Sequence, residues 1–304
     1  MFQNHVGINL SETKIQLVEI CYKNNSFYLE NVDQSVFKDF INLNLEPEKL
    51  INILQTALNK LISKKPFNTK FVSFCLPNNF FKIVELPIEY TLTKSDLLEH
   101  LRWEISVLYP ECSGIEFYIQ HIEVNKTSMR NDNKAIVFAL DKNMAVLLNQ
   151  FCKSNNLILK FIDNAHLASN AFLHKNPGYS KNDITLSIYI DQTFSSVSAL
   201  EGIYPFFFKV FNTSGSNIFY NLDKTMLNLI NLGIELSAVK DILLCGQNVT
   251  DEFLSQLEMK FGLPINKINP FERLKTEENI SQNPLFISQY NSFTAAAGIA
   301  VRII

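Results

Sequence analysis

Glycine is scarce in this chain, with 9 residues in 304. Loops that cradle phosphate need glycine, because backbone N–H groups must come close to the phosphate oxygens. So few glycines leave little material for several such loops. The five cysteines (21, 75, 112, 152 and 245) form no CxxC pair. An odd, scattered set gives no sign of a disulfide framework or a thiolate zinc site, and reads as reduced thiols packed as small hydrophobes. The five histidines are equally dispersed, with no pair at metal-ligand spacing. No apolar run reaches the roughly 18 residues that a spanning helix needs. The opening residues carry neither a basic leader nor a long apolar core, so the chain is expected to be cytosolic. The net charge of −3 gives no electrostatic reason to expect nucleic acid.

Apolar residues are abundant, at 47% against 19% charged. That balance supplies a large core, and the length suits two domains or one two-lobed domain. Val6 to Leu10, Ile15 to Ile20 and Phe27 to Val32 read as three strands joined by tight turns. Pro47 opens a helix with Leu50, Leu54, Ala57, Leu58 and Leu61 on one face. Strands at Lys70 to Leu76 and Phe80 to Leu86 precede a helix from Thr93 to Pro110, which contains Arg102-Trp103-Glu104. Leu92, Leu98, Leu101, Ile105 and Leu108 are its expected core stripe. An alternating strand follows from Ile115 to Val124, then a polar turn over 125–133 and a buried strand from Lys134 to Leu140. Asp141 is placed to cap a helix to Lys153, and Asp163 to cap another through Leu173.

Lys175 to Ser180 is the expected lobe boundary. After it the opening pattern repeats. Ile184 to Ile190 is a strand, and Ser195 to Leu200 with Tyr204 to Phe211 makes a hairpin. A helix to Leu232, a short strand ending at Cys245-Gly246-Gln247, a helix from Thr250 to Phe261 and an Ala-rich helix from Phe293 complete the chain. Phe206, Phe207 and Phe208 make one strand apolar on both faces, as expected of a central strand between layers. Two halves that open alike imply an α/β chain with internal duplication.

The block around Arg102-Trp103-Glu104, with its strand pair before and alternating strand after, resembles the inserted subdomain of PilM, the cytoplasmic actin-like protein of type IV pilus assembly. The opening hairpin, the second-half hairpin, the strand ending at Gly246 and the terminal helix (Ala295 to Ala300) fall where that family has them. The resemblance implies a duplicated actin-like (ribonuclease H-like) α/β fold, with two lobes facing across a nucleotide cleft. The first lobe would cover 1–175, with a small α+β subdomain inserted at about 74–163, and the second would cover 176–304.

The family's first phosphate turn reads Gly-Ile-Asp-Ile-Gly-Ser, with a Lys some residues on. Here the turn is Gly7-Ile8-Asn9-Leu10-Ser11-Glu12, and Gln16 stands near the Lys position. Asn9 removes a charge, Ser11 adds a Cβ and Glu12 sets a carboxylate where phosphate would lie. The expected role of Asn9 is a turn residue bonding its own backbone; a weakened Mg²⁺ contact is the alternative. The second turn keeps Asp191 but has no Gly, and the third keeps Gly246 but has Gln247 in place of a second Gly. The degenerate cleft of Gly7, Asn9, Ser11, Asp191 and Gly246 is therefore expected to hold no cofactor, or Mg-ATP only weakly.

The resemblance also implies a partner: a short N-terminal peptide of the inner-membrane protein PilN, lying between the inserted subdomain and its parent lobe. Phe80, Phe81, Ile83, Trp103, Val107, Leu108 and Tyr109 are the expected lining. The core is the expected place of Trp103, since a lone Trp on a helix is more often buried than an anchor, with the groove as alternative. The resulting expectation is a non-enzymatic scaffold of a pilus, secretion or competence machine. It would contact other platform components, bind no nucleic acid, and be peripheral to the inner membrane through its partner. An active ATPase with atypical loops is the alternative. A filament protein of the FtsA type would carry an amphipathic C-terminal tail, which is not expected here.

Overall fold

The computed structural model describes residues 4–42, 45–89, 91–124, 133–171, 183–213, 218–234, 236–247, 249–263 and 265–302. All but Asn133 of the expected turn over 125–133, the end of the expected helix through Leu173 and the lobe boundary at 175–180 lie outside them.

The same strand order is built twice. In the first half, β1 (Asn4–Leu10), β2 (Lys14–Lys23) and β3 (Ser26–Val36) form an antiparallel meander. After α1 (Pro47–Lys64), β4 (Phe71–Leu76) pairs with β1 in parallel. The five buried residues of α1 are Leu50, Leu54, Ala57, Leu58 and Leu61, the face its spacing predicts. In the second half, β9 (Ile184–Ile190), β10 (Phe194–Glu201) and β11 (Tyr204–Asn212) repeat the meander, and β12 (Val239–Gly246) pairs with β9 in parallel after α5 (Ile218–Asn231).

An insertion separates β4 from its next parallel neighbour, β8 (Ile158–Asn164). It is a three-stranded sheet of β5 (Phe81–Pro87), β7 (Lys134–Asp141) and β6 (Phe117–Val124) in that order, with α2 (Lys94–Leu108) on one face. Thr93 caps α2 by accepting a hydrogen bond from the Asp96 N–H. This sheet spans 81–141. Phe74–Leu76 and the strand to Asp163, inside the expected 74–163 insertion, belong instead to the six-stranded sheet, because both pair there in parallel. Helix α3 (Lys142–Ser154), capped by Asp141, packs its Leu148 and Phe151 with α1 in the first lobe's core.

Strand β7 explains why its sequence is apolar without alternation. Ala135, Val137 and Ala139 meet Leu97, Leu101 and Ile105 of α2. Ile136 and Phe138 face the other way and share a core with Phe206 and Phe208 of β11. The rings of Phe138 and Phe208 meet edge to face with centroids 5.0 Å apart. The phenylalanine strand is therefore an edge strand of its sheet, not the central strand expected, and the inserted sheet covers it.

Three further expectations change. Asp163 does not cap α4 (Ala165–Ser169). Strand β8 runs on through Asn164, whose side chain accepts from His166 N and Leu167 N, while buried Asp163 pairs with Arg302. The core stripe of α2 contains Leu97 rather than Leu98, and Leu108 is half exposed. The end of the chain leaves the second sheet. After α6 (Asp251–Phe261) and β13 (Ile265–Lys267), β14 (Lys275–Thr276) pairs with β3 of the first sheet. Short helices α7 (Glu278–Ser281) and α8 (Pro284–Ser288) lead to α9 (Thr294–Val301), which is buried on every side against β1, β2, β4 and α4. An all-apolar helix with no polar face has to be enclosed in this way.

Phe208→Ala removes the ring that joins the inserted sheet to the second lobe. It is expected to cost about 3–5 kcal/mol, read as a lower urea midpoint.

Candidate functional site

Two regions answer the expectations: the junction of the two hairpin turns, and a groove beside the inserted sheet.

At the junction, the turn after β1 meets the turn after β9. Thr13 Oγ1 donates to Gln192 Oε1 at 3.2 Å, and the Thr193 hydroxyl donates to the Glu12 carboxylate. Asn79 Nδ2 also donates to Glu12, at 2.8 Å. Deeper in, Gln16 Oε1 accepts from Gln247 Nε2 at 2.7 Å and from Asn9 Nδ2 at 3.3 Å, and Gln16 Nε2 donates to Ser292 Oγ at 2.9 Å. Asn9, Ser11, Glu12, Gln16, Asp191 and Gln247 are all buried in this seam. Asn9 is a strand residue bonded to Gln16, so the turn role expected for it does not describe its placement.

Several amide donors of these turns are already used. Ser11 Oγ accepts from the N–H groups of Thr13 and Lys14, and Ser11 N donates to Lys14 O. Gln192 N is bound by Asp191 Oδ1, and Gln247 N by Ile190 O. The two glycines serve packing. A Cβ on Gly7 would sit 2.0 Å from Ala296 O of α9, and one on Gly246 would sit 2.0 Å from Ile190 O. Gly246 also holds φ at +107°, a conformation open chiefly to glycine. Among the described residues Glu12 Oε2 is buried without a hydrogen-bond partner, and a carboxylate oxygen repels phosphate. Mg-ATP does not fit these residues. Among the described residues no group of three His, Cys, Asp or Glu side chains is placed to hold a metal.

The groove lies between the inserted sheet and the first lobe and has a volume of about 480 Å³. Tyr118, Ile119 and Gln120 of β6 form one wall, Leu159 to Ile162 of β8 the other, and Ala145, Val146 and Asn149 of α3 an end. Phe81, Phe138 and Leu140 lie between them. Among the described residues both walls are edge strands, since β6 pairs with β7 alone and β8 with β4 alone. Edge strands carry main-chain groups that an extended peptide can pair with. Lys160 is the one charged residue in the lining.

Of the residues expected to line a groove, Phe81 does so. Phe80 is buried in the first core and Ile83 packs on the second. Tyr109 is half-buried beneath the Lys82 ammonium, 4.6 Å away. Trp103, expected in the core, is 60% exposed, with Val107 and Leu108 beside it on the outer face of α2. The reason is helical phase: Leu97, Leu101 and Ile105 already fill the buried face, and Trp103 points away from it. Val146, Leu159 and Phe161 were missed, and the exposed Phe161 on a short edge strand was the available signal.

No protein-family model and no curated protein matches this chain. Among solved structures it is similar to a chain of the PilM-PilN type IV pilus biogenesis complex, at 16% identity over 98% of each chain and a TM-score of 0.69. It is also similar to a Bacteroides thetaiotaomicron protein with an actin-like ATPase fold and unknown function, at 14% identity over 88% of this chain and 91% of the other, with a TM-score of 0.52. The chain has an actin-like ATPase fold with an inserted subdomain.

Burial, together with the nearby Glu12, raises the Asp191 carboxyl from 3.8 to about 7. Between those values the folded state keeps a proton that the unfolded state has lost. Against the opposite slope of buried His5 and His166, lowered to about 4 and about 3, the contribution of Asp191 to stability therefore falls as pH rises from about 4 to about 7 and levels off above. Buried Glu19, also raised to about 7, adds to the same slope. Asp191→Asn is expected to flatten part of it in urea unfolding across that range.

Proposed function

We propose that this chain is a non-enzymatic cytoplasmic scaffold of a type IV pilus, or of a related secretion or competence machine. It binds the cytoplasmic N-terminal peptide of a PilN-like inner-membrane protein. Through that peptide and other platform components it sits at the inner face of the inner membrane. Among the described residues no helix is long and apolar enough to cross a membrane.

The observation that carries this reading is the groove. It is apolar, bounded by two open strand edges and placed between the inserted sheet and its parent lobe. A short extended segment suits such a site, because edge amides supply pairing and Phe161 and Val146 supply contact area. The fold likeness to a chain of the PilM-PilN complex supports the choice of partner.

The absence of catalysis is supported by the seam. Phosphoryl transfer requires preorganised donors and cations around the phosphates. Here Gln16 stands near the expected lysine position, Glu12 brings a carboxylate and several turn amides are engaged.

The test is isothermal titration with a synthetic peptide from the N-terminus of the PilN-like protein. Micromolar binding is expected. Phe161→Ala should weaken it about tenfold, as for an aromatic contact in an interface, and Trp103→Ala should leave it unchanged. Absence of binding, or loss of binding on Trp103→Ala alone, would contradict the assignment.

A further inference from the structure

Charge is unevenly placed on this chain. Residues 47–70, which hold α1 and the turn after it, contain five lysines against the single Glu48, although the whole chain carries −3. Lys49 and Lys60 lie eleven residues apart, about three helical turns, and so share one stripe of α1. Across from them the end of β3 and the residues after it bring Lys38 to the same place. Lys38, Lys49 and Lys60 surround a slot of about 230 Å³ floored by Phe37, Ile53 and Ala57. Val36, 62% exposed, lines this slot, and Phe40, 59% exposed, follows closely in sequence. Among the described residues Lys38 and Lys60 make no ion pair, and Lys49 reaches Asp39 alone, at 3.9 Å between exposed side chains.

We propose that this slot seats the protein directly on an anionic bilayer surface, with Val36 and Phe40 entering the interface between the lysines. Exposed lysines that outnumber the one acid beside them, Asp39, and are flanked by exposed apolar side chains suit headgroup phosphates above and acyl chains below. Several acidic residues of the insertion, one place where a second copy could meet these lysines, are already paired. Glu85, Glu104, Glu111, Glu116 and Glu123 of the insertion are each matched by Lys134, His100, Lys82, Lys142 and His121. Helix α1 also lies beside α3, joined through Gln55 and Asn155 at 2.8 Å and 2.9 Å, and α3 ends the peptide groove. A protein seated on α1 would hold that groove one helix away from the lipid. The proposal does not depend on the identity of the peptide.

The test is co-sedimentation of the full chain with vesicles of phosphatidylglycerol and phosphatidylcholine, against vesicles of phosphatidylcholine alone. Binding to the anionic vesicles only, weakening as salt rises, is expected. Each of Lys49→Gln and Lys60→Gln should lower the partition coefficient about fivefold, the effect of one lysine near an anionic surface. Phe40→Ser should lower it as well, and all three variants should keep the melting temperature. Equal binding to both vesicle types, no binding at low salt, or unchanged binding by the Lys49→Gln/Lys60→Gln variant overturns the proposal. Self-association that needs no vesicles and disappears in that variant also overturns it, by assigning the lysines to a second copy.

Discussion

The Gln16 amide is the point on which the two halves close. Its oxygen accepts from Gln247 of the second half, and its nitrogen donates to Ser292 just before α9. A cleft that opens around a charged ligand needs a cation and free donors on its walls. A neutral amide that both gives and accepts instead lets the walls bond each other. Glu12 and Thr13 extend that contact outward to Thr193 and Gln192. Once the seam is closed in this way, the conserved-looking glycines take another purpose. Gly7 lets α9 lie against β1, and Gly298 lets the same helix touch Ala168 O of α4.

A second polar layer lies beneath the seam. His166 is fully buried and hydrogen-bonded to Ser196 at 2.7 Å and Ser187 at 3.0 Å, and burial lowers its pKa to about 3. Asn78 and Asn164 join Ser196 from the first half. A neutral imidazole between two hydroxyls can satisfy both ring nitrogens without bringing a charge inside. With Phe138 against Phe208, the halves are held by polar and apolar contacts together. Such a body suits presentation of a fixed groove better than cyclic opening and closing.

Much of the fold was legible in the sequence because it rests on local patterns. The buried face of α1, the Thr93 cap and both hairpins follow from periodicity and turn chemistry. What failed depended on tertiary context. Trp103 lies on a helix whose other face was already filled, and a single sequence cannot fix helical phase to within one residue. Phe206 to Phe208 look central by composition, yet the covering layer comes from an insertion far away in the chain. Asp163 and Asn164 are both good caps, and strand length chose between them. In the candidate cleft, the lost glycines and lysine were readable. The replacement network of Gln16, Gln247 and Ser292 was not, because its members lie hundreds of residues apart. Of the residues named for the expected peptide groove, Phe81 alone lines the groove beside the inserted sheet, since β8 and α3 carry most of its walls.

The central claim is that side chains of the protein itself occupy the space of a nucleotide. The most direct measurement is the melting temperature with and without saturating Mg-ATP, since a ligand that binds only the folded state must raise it. The account predicts no shift. A rise of several degrees would mean that the seam opens to admit phosphates, and would contradict it.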